Sequence, residues 1–330
     1  MKLHLIHFGP GNVGKEFQRQ LQQVRSSIRK EYGIDVTLQR IFDKGDKPSE
    51  ILKVLQNLSG RNVLIDTTAA EEIYAYIYMV LKQGHFAVLS NKKPISLSQG
   101  KFDKLYSFHH RSQRLFFETT VGAGLPVIST IQELIHTGDE IQEIQGCFSG
   151  TLGYIFSQLD KGKKFSEAVK EAKIKGFTEP DPRDDLSGLD VARKALILNR
   201  IIGQKRNLQE IRITPLFTPE MAKLPVDDFL SQLITLDKTY ANRLSLLRKQ
   251  DKTLRYVATI TRKKVTVALE EVSTQSDIGS LQGPDNIVVI KTKRYYNNPM
   301  VIKGPGAGIQ VTAAGVLGDV IKIVKRISKL

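Results

Sequence analysis

Tryptophan is absent from this 330-residue chain, and cysteine occurs once, at Cys147. A single thiol excludes an intrachain disulfide and a multi-cysteine zinc site, and it fits a reducing compartment. Long apolar runs are missing too: no stretch approaches the roughly 20 uninterrupted apolar residues of a membrane helix. The opening Met1-Lys2-Leu3-His4-Leu5-Ile6-His7-Phe8 has the look of a signal peptide, but it is too short and runs into a glycine turn. It reads as a buried strand. Proline and glycine, at 12 and 25 residues, stand at ordinary levels, which removes the collagen-like and low-complexity classes. What is present is a globular composition: 41% hydrophobic residues, enough for real cores, over a length that suggests about two domains. Acid is scarce relative to base. The chain holds 49 Lys+Arg against 34 Asp+Glu, a formal charge of +15. Such an excess is the footprint of polyanion binders, yet here it is spread along the chain and reads mostly as solvated faces.

The first strand enters Gly9-Pro10-Gly11-Asn12-Val13-Gly14, a G-x-G-x-x-G sequence. That pattern gains meaning from the amphipathic stretch behind it. Val13, Phe17, Leu21, Val24 and Ile28 recur at helical spacing, so strand, glycine turn and helix come in the order a dinucleotide site requires. Gly9 permits the tight turn, Gly11 lets the backbone approach a pyrophosphate, and Gly14 lets helix and strand pack closely, with the helix N-terminus facing the phosphates. A second strand, Val36 to Phe42, closes on Asp43, the candidate ribose ligand. Strands over Asn62 to Asp66, His85 to Ser90 and Leu115 to Phe117, alternating with helices, predict a doubly wound parallel sheet.

From about Ile135 the pattern changes. A short helix with Ser166 as its N-cap and Gly176 as its stop is expected, then a longer one from Gly188 through Ile201. Apolar runs at Leu254 to Thr261, Lys264 to Leu269 and Ile287 to Thr292 predict a second, antiparallel α+β domain. Helical insertions or linkers fill the proline-bearing stretch between Thr214 and Lys252.

The segment from Gly176 to Lys194 is the most informative. It carries Glu179, Asp181, Asp184, Asp185 and Asp190 inside a strongly basic protein. Asp190 and Lys194 stand at i and i+4 of the helix, on one face and in reach of each other. A lysine so held can exchange a proton with a substrate oxygen; an ordinary surface ion pair is the alternative. Lys92, in Asn91-Lys92-Lys93-Pro94 past the fourth strand, faces the crevice where ligands bind in open α/β sheets, unless the segment is a plain surface turn.

These motifs, together with Glu118-Thr119-Thr120-Val121-Gly122-Ala123-Gly124-Leu125-Pro126, Ser149-Gly150-Thr151-Leu152 and Gly304-Pro305-Gly306-Ala307-Gly308 before Val311-Thr312-Ala313, closely resemble the homoserine dehydrogenase family in sequence and in order. The resemblance covers nearly the full length. It implies interconversion of L-homoserine and L-aspartate 4-semialdehyde with NAD(P), in threonine, methionine and isoleucine biosynthesis. Lys194 then matches the acid/base lysine, Lys92 a second active-site lysine, and Asp190, Asp185 and Glu179 the carboxylates that bind substrate and order the lysines. Carboxylates suit a substrate that carries an ammonium.

By the same resemblance, Gly9, Gly11, Asn12, Val13, Gly14, Arg40, Asp43, Thr68, Lys92, Gly306 and Gly308 would bind the cofactor. Asp43 favours NAD, whereas Arg40, Lys44 and Lys47 can hold the 2′-phosphate of NADP, and the balance leans to NADP. Glu118, Val121, Ala123 and Leu125 match a sodium loop built mainly from backbone carbonyls; an ion-free buried turn is the alternative. The expected layout is a Rossmann-type dinucleotide-binding domain at 1–135 plus about 306–330, and a substrate-binding and dimerisation domain at about 136–305. At this length neither a C-terminal regulatory domain nor a fused kinase is expected. A cytoplasmic homodimer acting on a small amino acid, without nucleic-acid or membrane partners, completes the reading. A dehydrogenase of another small oxo-acid and a degenerate nucleotide- or nucleic-acid-binding module are the competing ones.

Overall fold

The structure is a computed structural model that describes residues 1–329, apart from the side chain of residue 111. The chain divides into two compact units, one of residues 1–128 with the segment from Gly308 onward, the other Ser129–Ala307.

The first unit opens with β1 (Lys2–Phe8), α1 (Asn12–Tyr32), β2 (Asp35–Phe42), α2 (Pro48–Gln56), β3 (Asn62–Asp66), α3 (Ile73–Lys82), β4 (Phe86–Leu89), α4 (Gln99–Ser112) and β5 (Leu115–Phe116). The strands form one parallel sheet in the order β2-β1-β3-β4-β5. The chain steps from β1 to one side and then returns to the other, so the switch point lies between β1 and β3, where such sheets hold ligands.

The period of two along these strands decides which side chains meet α1. Leu3, Leu5, Val36, Val63, Ile65, Phe86 and Val88 share one buried cluster with Phe17, Leu21 and Ile28 of α1. Each fully buried side chain of this size stabilises by roughly 1.5–3 kcal/mol. Phe8, on the opposite face of β1, stacks on Tyr76 of α3 at 5.8 Å. Helix α1 stops at Gly33, which adopts the left-handed conformation at φ 68° and donates its N–H to the carbonyl of Arg29.

The chain continues through α5 (Val127–His136), whose first turn holds the division between the units. The second unit then contains β6 (Ile141–Cys147), α6 (Gly150–Asp160), α7 (Phe165–Ile174), α8 (Arg183–Leu186), α9 (Leu189–Ile201), β7 (Arg212–Ile213), α10 (Val226–Gln232), α11 (Ile234–Arg248), β8 (Lys252–Thr261), β9 (Val265–Ser273), β10 (Asp285–Thr292) and β11 (Met300–Pro305). Its sheet runs β11-β10-β6-β8-β9-β7. Every pairing is antiparallel except β7 with β9, which is parallel. The chain then returns to the first unit as α12 (Ile309–Ile327), whose Ala313, Val316, Val320 and Ile323 join the cluster around α1.

Three local expectations need correction. Ser166 does not cap α7: the helix starts at Phe165, and both the Ser166 amide and its hydroxyl donate to the Asp237 carboxylate. A strong acceptor on α11 outcompetes the local cap. The fifth strand ends at Phe116 instead of Phe117, because Phe117 begins the tight turn over Glu118–Thr120. The fourth strand is shorter than expected, Phe86–Leu89, since His85 and Ser90 lie in the flanking turns.

Candidate active site

In the first unit the glycine turn follows β1. Gly9 has φ +86°, and a Cβ there would meet Thr68 Cγ2 at 2.9 Å and the Thr67 carbonyl carbon at 3.0 Å. A Cβ on Gly14 would lie 2.4 Å from the Gly9 carbonyl oxygen and 2.7 Å from His7 Cε1. Gly11 has open space around its missing side chain. The three glycines therefore differ in kind. Gly9 and Gly14 are dictated by the protein's own packing, whereas Gly11 leaves room beside the start of α1.

That 21-residue helix has no side-chain cap on Gly11 and no acid in its first turn. The N–H groups at Asn12, Val13 and Gly14 thus lie where the helix dipole is positive, which suits a pyrophosphate. Asp43 follows β2; its Oδ1 accepts from the Lys44 amide at 2.8 Å, and its own amide donates to Asp46 at 2.6 Å. Arg40 and Lys44 are exposed beside it, and Arg40 lies over the Phe42 ring at 5.7 Å.

The turns after β3 and β4 are tied together. Thr68 donates its amide and hydroxyl to Asp66 Oδ1 at 2.9 and 2.7 Å. Asn91 donates to the Ala70 carbonyl at 2.7 Å and receives the Lys93 amide at 3.0 Å, which fixes the backbone on either side of Lys92. Burial pushes the Asp66 carboxyl up to about 7. Thr68 and Lys92 therefore stand at the carboxyl ends of adjacent strands, beyond the switch point.

In the Glu118–Leu125 segment residues Glu118 to Ala123 are buried and Gly124 is exposed, with Gly122 at φ 82° and Ala123 at φ 52°. The Glu118 carboxylate accepts from the Ile128 amide at 2.7 Å and from the Lys322 ammonium at 3.2 Å. Lys322 also pairs with Asp319, which receives the Glu118 amide at 3.0 Å. Burial pushes Asp319 up to about 6 against the pull of the lysine, while Lys322 is raised by both acids despite its own burial. Because the Glu118 carboxylate is committed in this way, a cation here would be held by main-chain oxygens. Two successive left-handed residues can aim several of those at one point.

In the second unit the carboxylate-rich loop is sorted by its partners. Asp181 pairs with Arg183, whose guanidinium also donates to the carbonyls of Ala222 and Leu224. Asp185 accepts from the Thr151 hydroxyl at 2.9 Å and from the Glu179 amide at 2.8 Å. Burial, with Glu179 and Asp190 adding repulsion, pushes Asp185 up to about 6. Lys194 Nζ lies 2.8 Å from Asp190 Oδ2 and donates to the Phe148 carbonyl at 2.7 Å.

The lysine side chain is 13% exposed and that of Asp190 41%. The ammonium is thus fixed at the edge of the unit, with two of its three donors directed. Gly188, at φ 74°, starts α9 and admits only hydrogen there, since a Cβ would meet the Tyr256 hydroxyl. Gly306 is likewise dictated by packing, against the Asn286 side chain, and Gly308 is exposed.

A family model described as homoserine dehydrogenase matches residues 126–321. The homoserine dehydrogenase of Saccharomyces cerevisiae is 42% identical over 277 residues, covering 80% of this chain and 76% of that protein. The chain belongs to the homoserine dehydrogenase family. The chloroplastic bifunctional aspartokinase/homoserine dehydrogenase 1 of Zea mays is 35% identical over 346 aligned positions, which cover 96% of this chain and 38% of that protein. The chain thus spans little more than a third of the length of this plant relative. A hyperthermophilic archaeal homoserine dehydrogenase, solved in complex with NADPH, shares the fold with a TM-score of 0.73 at 24% identity, over 99% of this chain and 98% of that one.

Sequence reading missed several supporting groups of this homoserine dehydrogenase relative. The Phe148 carbonyl that orients Lys194 carries no side-chain signal at all. Thr151 stood within a recognised motif without a role, and it holds Asp185. Thr67, next to the expected Thr68, binds the glycine turn itself. Among the described residues no helix is long and apolar enough to cross a membrane, and no three His, Cys, Asp or Glu side chains gather as a metal group.

Proposed function

We propose that this protein interconverts L-homoserine and L-aspartate 4-semialdehyde, with Lys194 as the acid/base residue. The observation that carries this reading is the Lys194 ammonium held by Asp190 and the Phe148 carbonyl beside a loop of carboxylates. Its third donor is available to a substrate oxygen. In the direction of reduction it stabilises the developing alkoxide and delivers a proton, and in oxidation the neutral amine takes that proton back. Asp190 sets the position of Nζ. Asp185 and Glu179 offer negative charge to the substrate ammonium, and this favours an amino acid over a plain oxo-acid. A nicotinamide cofactor, when bound, would supply or accept the hydride.

The uncapped start of α1 with Gly9, Gly11, Asn12, Val13 and Gly14 fits the cofactor pyrophosphate, and Thr68 and Lys92 fit the nicotinamide side of the crevice. Arg40, Lys44 and Lys47 support NADP as the preferred nucleotide, because their positive charge at the end of β2 suits a 2′-phosphate. The NADPH bound by the archaeal fold relative is consistent with this preference. Gly306 and Gly308 complete the cofactor set, and carbonyls at Glu118, Val121, Ala123 and Leu125 suit a sodium ion. The unit around α1 serves as the dinucleotide domain, and the unit around β6 and β8 serves substrate binding and dimerisation in a cytoplasmic homodimer. The test is homoserine oxidation followed by the absorbance of the reduced nicotinamide, with NAD and NADP in parallel, with and without sodium. Activity with NADP above NAD is expected, and absence of turnover with either nucleotide defeats the proposal.

A further inference from the structure

His7 is fully buried in β1, directly beneath the glycine turn, and the proposed chemistry makes no use of it. Its Nε2 lies 2.8 Å from Thr67 Oγ1, and Gln18 Nε2 lies 3.0 Å from its Nδ1. The Thr67 hydroxyl has one proton, which it donates to the Gly9 carbonyl at 2.6 Å, with the Phe8 carbonyl at 3.2 Å as a second acceptor. The proton in the His7–Thr67 bond must therefore come from His7 Nε2, and Nδ1 accepts from the Gln18 amide. Every member of the chain has one consistent role. The imidazole is neutral, and burial keeps it so by lowering its ionisation to about 4. The ring also stands edge-on to Phe17 at 5.6 Å, and its Cε1 fills the space a Cβ on Gly14 would need.

We infer that His7 and Thr67 are positioning residues that fix the Gly9 carbonyl, and through it the turn that receives the cofactor pyrophosphate. This inference rests on the dinucleotide reading of that turn. A left-handed Gly9 has many accessible conformations, and the glycine backbone alone does not select one. The Thr67 hydroxyl selects it by holding the peptide oxygen, and His7 holds the hydroxyl. Gln18, nearly two turns into α1, locks the ring, so strand, turn, β3 end and helix are joined by hydrogen bonds rather than by apolar contact alone.

The test is NADPH titration and steady-state kinetics of Thr67→Val, which keeps the shape and removes the hydroxyl, beside Thr67→Ser, which restores it. Thr67→Val should weaken NADPH binding and raise the nucleotide KM by about tenfold, as expected for losing a buried hydrogen bond and stranding its partner. Its kcat at saturating nucleotide and its homoserine KM should be unchanged, and Thr67→Ser should recover wild-type affinity. Gln18→Leu, which frees the ring, should give a smaller loss of the same kind and provides the readout if Thr67→Val does not fold. Wild-type NADPH affinity in a folded Thr67→Val or in Gln18→Leu overturns the inference, as does a fall in kcat with unchanged affinity. Failure of the wild-type protein to bind either nucleotide instead defeats the dinucleotide reading.

Discussion

The two candidate sites, one in each unit, are built from opposite kinds of group. Around α1 the ligand surface is backbone: uncapped N–H groups, a left-handed glycine and a clear space at Gly11. Around α9 it is side chain: carboxylates and an ammonium, with Asp185 held by Thr151 and the Glu179 amide, and Lys194 by Asp190 and the Phe148 carbonyl. Backbone dipoles cannot be substituted away, so the first site is sensitive to added volume. Side-chain charges can be deleted or titrated, so the second is sensitive to chemistry and pH.

The sharpest way to break the comparison is Lys194→Ala. It should lower kcat by roughly a hundred- to ten-thousandfold, the range for a positioned acid/base group, with NADPH affinity intact by fluorescence titration. Loss of nucleotide binding instead would show that the two sites are not separable. Next comes volume at the glycine turn. Gly14→Ala forces a Cβ against the Gly9 carbonyl and His7, so it should cost about 1–3 kcal/mol in a thermal or denaturant melt and abolish NADPH binding. Gly11→Ala has open space around it, so it should melt like wild type while binding NADPH more weakly by about tenfold, some 1.4 kcal/mol. Equal melting losses for both would mean that Gly11 is also a packing glycine.

A pH series sharpens the other side. Asp185 is pushed up to about 6 in the folded protein, mainly by burial. Above that pH it is a carboxylate and attracts the substrate ammonium; as pH falls through it the carboxyl takes up a proton and the attraction is lost. The homoserine KM should therefore rise on the acid side, approaching about tenfold per pH unit, while the nucleotide KM stays flat. Asp185→Asn should remove the break. The smallest effect is expected from Thr151→Val. It deletes a hydrogen bond that favours the charged form of Asp185, so the homoserine KM should rise by about fivefold and the break should move to higher pH.

The glycine turn, the parallel βα order, the Asp190–Lys194 pairing and the carboxylate block were legible because each is written in local spacing. Asp190 and Lys194 meet since four residues of helix bring them onto one face, and the structure has them at 2.8 Å. Ser166 misled for the converse reason: a residue good at capping was claimed by Asp237, far away in the chain. Strand β6 and helix α6, which flank Phe148 and carry Thr151, are not legible in local spacing: the apolar Ile141, Ile144 and Cys147 of β6 recur every three residues rather than every two, and α6 is buried on nearly every side.

What the sequence by itself determined is therefore the set of reacting groups and the order of the elements that bear them. It also determined which turns must be glycine. The tertiary structure decided which of the five carboxylates remain for a ligand, since Asp181 is taken by Arg183 while Asp185 is half-buried and raised. It decided as well that a histidine in the first strand braces the glycine turn. The reason is physical: charge pairing, burial and hydrogen-bond direction depend on neighbours in space, and those neighbours, Thr67 for Gly9 and Phe148 for Lys194, stand tens of residues away along the chain.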